Sequence, residues 1–395
     1  MERMLWSVEL VHAVNSFSAD WIASRHRAPK VASGLAVWPL LGELALGASG
    51  TTRTELVEAL RKEPVSADVA VLIDLMSESE RVSVALATWL GSNLALDPEW
   101  IEALPNGTVR SLTGDSTVDQ NRMDEWVRNS TDGKITSMPV EARQDTVLML
   151  ASAVSLATEW EQPLQPNRRA ISQGPWANDR PYQGLDVLTD ADTLRFDDDL
   201  AQWTAAGTGD VDVALVIGRP ELPPSFVLSE AVRRVDDSGW GRSGSSVSVG
   251  DVGPGFEVVE REKDHPATGQ KLEVETVAFD LTERLDLLED AAVLGLTTAS
   301  NAQRADFSRL CADALFVGQA RQESQATFGA TGFEATSVTA VGMVLSSAVG
   351  SATHRYLHQR VLLKFDRPFG YVVTHRPSGL VLLAGWVDEP RFDGE

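Results

Sequence analysis

The sequence predicts an α+β fold, because helical patterns dominate its N-terminal part and strand patterns dominate its C-terminal part. No regular alternation of strand and helix connects the two parts, which argues against a parallel α/β architecture. The apolar fraction of 43% and the charged fraction of 23% are typical of a globular protein. A prior of roughly 150 residues per domain suggests two or three domains, but no linker is visible in the 395 residues.

The N-terminal part carries the helical patterns. Apolar residues recur at helical spacing in the first segment, and two glycines end the second. A threonine cap with an acid three residues later opens the third, Asp97-Pro98 opens the fourth, and Gly133 follows the fifth. The predicted helices are residues 4–24, 37–46, 51–60, 97–104 and 119–128.

Strands are predicted where apolar residues alternate or form uninterrupted runs. The long uncharged run at 145–157 is typical of a buried central strand, and Pro377-Ser378-Gly379 predicts a hairpin turn. A short helix is predicted at 285–294. The predicted strands are residues 82–86, 145–157, 185–195, 211–218, 271–281, 361–365, 369–374 and 380–387.

The charge balance limits the classes of partner. Thirty-four basic and 57 acidic residues give a net charge of −23, which argues against nucleic acid or an anionic membrane as a partner. Cys311 is the only cysteine, so no intramolecular disulfide is expected. The N-terminus shows no export signal, which predicts a cytoplasmic location with an extracellular one as the alternative.

No catalytic constellation is visible in the sequence. Zinc-protease, nucleotide-binding and nucleophile-elbow motifs are all absent, and the acidic runs are typical of solvated surface. His354 and His358 are four residues apart, but no third metal ligand lies nearby. The sequence therefore favours a protein that is not an enzyme and that has no metal or cofactor.

The most informative segment is residues 331–353. It contains one charge, Glu334, and no proline, and 19 of its 23 residues are Ala, Gly, Ser, Thr or Val. One interpretation is a long flexible loop. The other is a segment with two states, an exposed loop and an extra strand that slides between existing strands. A basic patch at 354–360 follows it.

Several blocks in this sequence resemble the serpin (serine protease inhibitor) family, and they follow the family order. The resemblance is greatest to bacterial serpin-like proteins. The blocks are Leu44–Ala48 with Thr52-Arg53, Trp126-Val127 with 131–135, 279–281 through 294–296, 305–308, 332–335 with 339–341, and Phe365–Phe369 with His375, Gly385 and Pro390.

The resemblance implies a single serpin domain over residues 1–395, because the blocks interleave from end to end. It implies a bundle of about eight to nine helices around three β-sheets, with an exposed reactive-centre loop at about 331–360. A serpin offers this loop to a protease, is cleaved, and inserts the loop into its main sheet while the protease is still attached. The implied partner is a serine or cysteine protease, and no cofactor is needed.

The loop is interpreted from its hinge, Gly332, Phe333, Glu334 and Ala335. The family interval from Gly332 places the reactive bond at Ser346–Ser347, after Leu345, which suits an elastase-, chymotrypsin- or subtilisin-like protease. The segment after it is about ten residues longer than is usual in the family. An alternative bond after Arg355 or Arg360 would suit a trypsin-like protease.

Four other residues correspond to the family's gate and sheet top. Ser33 fits the family pattern, Ser152 replaces an asparagine and Gln322 replaces a histidine, while Trp160 fits the tryptophan under the top of the main sheet. Phe333 occupies a place where inhibitory members carry a small residue. The alternative function is therefore a non-inhibitory serpin that acts as a binding or conformationally responsive module. The net charge argues against heparin as a partner, and a monomer is expected.

Overall fold

The computed structural model describes residues 7–78, 81–91, 94–104, 108–130, 133, 136–138, 148–237, 239–263, 269–334 and 356–394. Within these ranges the chain forms seven α-helices and three six-stranded sheets, which confirms the α+β class. The bundle of eight to nine helices is therefore reduced to seven in the described part of the chain. None of the helices in these ranges is long and apolar enough to cross a membrane.

The helices are concentrated in the N-terminal part of the chain. They are α1 (Val8–Ser24), α2 (Gly34–Gly47), α3 (Gly50–Leu60), α4 (Ser66–Glu78), α5 (Pro98–Ala103), α6 (Ser116–Ser130) and α7 (Pro224–Arg234).

The strands fill the rest of the chain. In chain order they are β1 (Val82–Gly91), β2 (Val109–Leu112), β3 (Leu148–Glu159), β4 (Gln165–Arg169), β5 (Tyr182–Asp190), β6 (Leu194–Phe196), β7 (Leu200–Ala205), β8 (Val211–Gly218), β9 (Arg242–Ser243), β10 (Val252–Gly253), β11 (Phe256–Lys263), β12 (Lys271–Val277), β13 (Phe279–Asp286), β14 (Gln319–Phe328), β15 (Gly332–Glu334), β16 (Tyr356–Lys364), β17 (Phe369–His375) and β18 (Leu380–Val387).

Each of the three sheets combines strands that are distant in sequence. The main sheet has the order β13-β14-β15-β3-β1-β2, the second sheet β10-β11-β16-β12-β5-β4, and the third sheet β18-β17-β8-β7-β6-β9. In the main sheet β14 also pairs directly with β3, in parallel. The segment between β15 and β16 thus connects the main sheet to the second sheet.

Helix α2 is the centre of the packing behind the main sheet. It contacts β1 and β3 of that sheet and β18 of the third sheet, and nearly all of its residues are buried. Ser33 caps its N-terminus, because the Ala36 amide donates to Ser33 Oγ over 3.2 Å. The composition of α2, which is apolar except for Glu43 and three glycines, follows from this position between two sheets.

The third sheet is buried because helices cover it. Helices α1 and α7 pack on each other and on β17 and β18. All eight residues of β18 are buried, which explains why this strand is a continuous apolar run without alternation. The predicted strand 380–387 has these same bounds.

The prediction of a helix at 285–294 is wrong. Strand β13 continues to Asp286, which pairs with Arg321 of β14, and turns follow in which the Asp290 amide donates to the Leu287 carbonyl. The Asp290 carboxylate accepts a hydrogen bond from the Trp21 indole of α1, over 2.8 Å. The backbone of this segment is therefore satisfied by β14 and by turns.

One carboxyl group is buried between α2 and the main sheet. Glu43 is 1% exposed, and its Oε2 accepts a hydrogen bond from Thr88 Oγ1 of β1 over 2.7 Å. Desolvation raises the pKa of Glu43 to about 7, although hydrogen bonds from Thr88 and Thr108 act in the opposite direction. The folded protein therefore retains a proton that the unfolded chain releases at lower pH.

This pKa difference makes the free energy of unfolding depend on pH. Because the pKa of Glu43 is higher in the folded state, stability is greatest below pH ~4.5 and falls as the pH rises to ~7, by up to about 3 kcal/mol. We expect Glu43→Gln to remove this loss, as measured by urea unfolding between pH 4.5 and 8. Glu58→Gln, at an exposed position of α3, is the matched control. An equal pH dependence in wild type and Glu43→Gln would contradict the assignment.

Candidate functional site

The described residues of the predicted hinge, Gly332–Glu334, lie within the main sheet. Strands β14 and β3 pair directly only where Gln319–Ser324 faces Met149–Val154. Beyond this ladder β15 lies between them and pairs antiparallel with both, Phe333 with Phe328 of β14 and with Thr158 of β3. The main sheet is thus closed over part of its length and holds a short inserted strand at one end.

The turn that leads into β15 is fixed by four hydrogen bonds. The Gly329 amide donates to the Gly332 carbonyl over 2.9 Å, and the Leu164 amide donates to the Ala330 carbonyl over 2.8 Å. Trp160 contributes twice, since its backbone amide donates to the Thr331 carbonyl and its indole to the Gly329 carbonyl, both over 2.9 Å. Trp160 therefore fixes the turn that connects β14 to β15 at the top of the sheet.

Gly332 is required by the close approach of β3. A Cβ atom at Gly332 would lie 2.3 Å from the Thr158 carbonyl oxygen, which is far inside contact distance. Backbone atoms cannot move aside as a flexible side chain could, so any other residue would displace β15 from β3. The hinge glycine is thus explained by packing in the inserted conformation.

Phe333 anchors β15 in the interior. Its side chain is fully buried, and its ring centroid lies 5.9 Å from that of Tyr371 of β17. Tyr371 in turn lies 5.1 Å from Phe279, which stacks on Phe328 at 5.3 Å. Burial of such a ring in an aromatic cluster stabilises the inserted strand. The large residue at this hinge position therefore packs in the core under the sheet.

Ser33 and Gln322, two of the residues predicted to belong to the gate, are hydrogen-bonded to each other. The Ser33 amide donates to Gln322 Oε1 over 2.9 Å, and Gln322 Nε2 donates to the Ser33 carbonyl over 2.8 Å. Ser33 Oγ donates to the Leu382 carbonyl of β18 over 2.6 Å. Both residues are fully buried. The amide of Gln322 thus anchors β14 to α2, and Ser33 extends the connection to the third sheet.

The remaining gate residue belongs to the opposite strand. Ser152 lies in β3 directly opposite Gln322 in the parallel register. Its side chain lies outside the described residues. Because Gln322 uses its amide on Ser33, β14 is connected to the core behind the sheet at this level. The hydrogen bond from Thr88 to Glu43 connects β1 to the same helix, so strands on both sides of this ladder are anchored to α2.

One of the predicted reactive residues, Arg360, lies inside a strand. Arg360 lies in the middle of β16, pairs with Val259 on one side and Lys271 on the other, and is 6% exposed. A protease needs an accessible extended segment, so the bond after Arg360 is not available in this conformation. Ala335, Leu345, Ser346, Ser347 and Arg355 lie outside the described residues.

Sequence reasoning missed the residues that hold the hinge in place. Tyr371 and Phe328 contact the inserted strand or its neighbour, and the Leu164 amide supports the turn. Tyr371 is one of three tyrosines in the chain and lies in a predicted strand, but nothing local indicates that it faces β15. These contacts depend on long-range packing.

The buried amide of Gln322 gives a test of the gate. Gln322→Met keeps the volume but leaves the amide and carbonyl of Ser33 without partners, so we expect unfolding free energy to fall by about 2–4 kcal/mol. Gln325→Met, on the other face of β14 and half-buried, should change it by less than about 0.5 kcal/mol. Denaturant unfolding measures both variants, and equal losses would contradict the role of Gln322.

Comparisons with known proteins agree with this architecture. The family model "Serpin (serine protease inhibitor)" matches residues 14–181 and 259–390, and the stretch 182–258 between them is not matched. The native state of the thermophilic serpin tengpin superposes with a TM-score of 0.74 at 15% identity, covering 98% of this chain and 96% of tengpin. That similarity concerns the fold.

Curated relatives are similar over different lengths. Alpha-1-antichymotrypsin of Homo sapiens is 22% identical over 385 residues, which is 91% of this chain and 82% of that protein. Plasminogen activator inhibitor 1 of Neovison vison is 34% identical over 113 residues, which is 28% of this chain and 26% of that protein. The family match over most of the chain, together with the strand inserted at the hinge, shows that this chain belongs to the serpin family.

Proposed function

We propose that this serpin inhibits a serine or cysteine protease by loop insertion. The segment between β15 and β16 would serve as a substrate, and after cleavage its N-terminal part would extend β15 between β14 and β3. The protease, still joined to the loop as an acyl-enzyme, would be carried along and distorted. The observation that supports this proposal most directly is β15 itself, which is already paired on both edges.

Hydrogen bonding favours the extension of β15. At present β14 and β3 share one parallel ladder, from Gln319 to Ser324. An intervening strand that continues β15 would replace it by two antiparallel ladders. Each added backbone hydrogen bond contributes about 0.5–1.5 kcal/mol net, and antiparallel pairing is slightly the more stable kind. The inserted state therefore gains a whole ladder relative to the closed one.

The composition of the loop suits this movement. Continuing the register of β15 would place residue 335 opposite Leu156 of β3 and residue 343 opposite Leu148. Most residues in that interval are Ala, Gly, Ser, Thr or Val, which are small enough to pass between two packed strands. Phe333, the large residue, does not have to move, because it is already buried.

The relatives support the class of target. Alpha-1-antichymotrypsin and plasminogen activator inhibitor 1 are named as inhibitors of proteases. We propose Ser346–Ser347, after Leu345, as the reactive bond for an elastase-, chymotrypsin- or subtilisin-like protease. Cleavage after Arg355 by a trypsin-like protease is the alternative.

A second candidate function is a non-inhibitory serpin that acts as a binding module. The fixed turn at Trp160, the buried ring of Phe333 and the Ser33–Gln322 hydrogen bonds favour it, because together they hold the present state in place. In this case β15 would remain a short, permanent strand at the top of the sheet. Cleavage of the loop would then capture no protease.

Incubation with proteases of three specificities separates the two functions. We expect an SDS-stable complex with an elastase-, subtilisin- or trypsin-like protease, because insertion outruns hydrolysis of the acyl-enzyme. Mass spectrometry of the released C-terminal fragment identifies the bond. The catalytically inactive form of the same protease is the control, since it cannot form the covalent bond. Rapid cleavage without a complex, and with no rise in unfolding temperature, would exclude inhibition.

Phe333 gives a second, independent test. Phe333→Thr removes a buried ring, so we expect the uncleaved protein to lose about 3 kcal/mol of stability while it still captures the protease. Phe316→Thr, at a position 38% exposed, is the matched control and should lose much less. Thermal unfolding and the yield of complex are measured on the same samples. Capture by Phe333→Thr but not by wild type would favour the binding module.

A further inference from the structure

A β-hairpin covers the strand into which the reactive loop leads. Strand β11 pairs antiparallel with β16 over eight residues, from Phe256 opposite Leu363 to Lys263 opposite Tyr356. The other edge of β16 pairs with β12. The hairpin of β10 and β11 begins in the stretch 182–258 that the family model does not match. Without β11, strand β16 would be an edge strand.

The hairpin is itself firmly held. The Phe256 ring lies 4.7 Å from that of Phe196, and Val258 is buried. Gly255 has a φ of +70°, and its carbonyl accepts a hydrogen bond from the Lys364 amide at the end of β16. Gln359 Nε2 of β16 donates to the Val247 carbonyl ahead of the hairpin. The hairpin and β16 therefore form one hydrogen-bonded unit.

This ladder matters because β16 is one of the two attachments of the reactive loop. If the uncleaved loop extended β15 to the level of Leu148, residues 335–343 would form the added strand. Residues 344–355 would then have to lead back to Tyr356, where β16 begins. Twelve residues reach at most about 40 Å when fully extended. The nine-residue extension itself is about 30 Å long. A return of about 30 Å would thus stretch these twelve residues to about three quarters of their reach, well beyond the r.m.s. length of about 20 Å of a flexible chain, and residues released from β16 would relieve that stretch.

We propose that β11 is a clamp that holds β16 in the second sheet and thereby keeps the uncleaved loop from entering the main sheet. This inference rests on the proposed function. Release of β16 requires the loss of the β12 ladder and also of the β11 ladder. Cleavage removes the requirement, because the N-terminal part of the loop is then free of β16. The clamp makes insertion depend on the protease.

Proline substitution in β11 tests the clamp with a matched control. The Val258 amide donates to the Asp251 carbonyl, so it points away from β16, and the amide of Val259 points toward β16 by alternation. Val259→Pro therefore interrupts the ladder, whereas Glu260→Pro places its ring on the outer side. Each variant is incubated at 37 °C without protease.

We expect Val259→Pro to convert at least tenfold faster than Glu260→Pro and wild type to a form with a higher unfolding temperature and a protease-resistant loop. Equal conversion rates in the two folded proline variants would overturn the clamp. Wild type cleaved within the loop is measured in parallel. If the cleaved wild type gains no thermal stability, the proposed function fails; if it does gain stability and Val259→Pro does not convert, only the clamp fails.

A disulfide variant serves if Val259→Pro does not fold. Glu260 and Gln359 face each other as a pair without mutual backbone hydrogen bonds, a geometry with Cα atoms about 4.5 Å apart that accepts a disulfide. Glu260→Cys with Gln359→Cys is incubated at elevated temperature, oxidised and reduced. Slower conversion of the oxidised form supports the clamp, and equal rates in both forms overturn it.

Discussion

The partial pairing of β14 with β3 is the constraint on which the rest of the structure depends. These strands are parallel neighbours over Gln319–Ser324, and above that ladder the space between them holds β15. A parallel pair with free backbone groups at one end offers hydrogen bonds to a strand that runs antiparallel to both. The main sheet is therefore a six-stranded arrangement in which β15 occupies this one place, and the proposed insertion would extend β15 there.

Some contacts around this place stabilise the inserted strand, and others restrain the neighbouring strand and the far end of the loop. The turn fixed by Trp160 and the aromatic contacts of Phe333 stabilise the first residues of the inserted strand. The hydrogen bonds between Gln322 and Ser33 anchor β14 to the helix behind it. At the other end of the loop, β11 and β12 hold β16. In the proposed mechanism, cleavage of the loop would separate the end that follows β15 from the end that is held in β16.

The strands with a strong apolar pattern could be predicted from the sequence, and the strand that forms the gate could not. The buried face of β14 carries Gln322 and Ser324 between small residues, so the alternation of apolar and polar side chains is missing. Because Gln322 and Ser324 lie on its buried face, β14 lacks the pattern from which a strand is predicted. The sequence pattern also does not predict β11, because the second half of this strand, Glu260–Lys263, consists of charged residues, as is typical of an edge strand. The resemblance of Gly332, Ser33 and Trp160 to family motifs predicts where the site lies, whereas the burial of Phe333 depends on long-range packing with Tyr371.

Hydrogen exchange of the loop tests the account most directly. Exchange is followed by mass spectrometry in peptides that cover residues 335–345 and β14, before and after cleavage within the loop. Extension of β15 predicts that amides of 335–343 exchange rapidly in the intact protein and become as protected as those of β3 after cleavage. Rapid exchange of this segment in both forms, with β14 unchanged, would contradict insertion between β14 and β3.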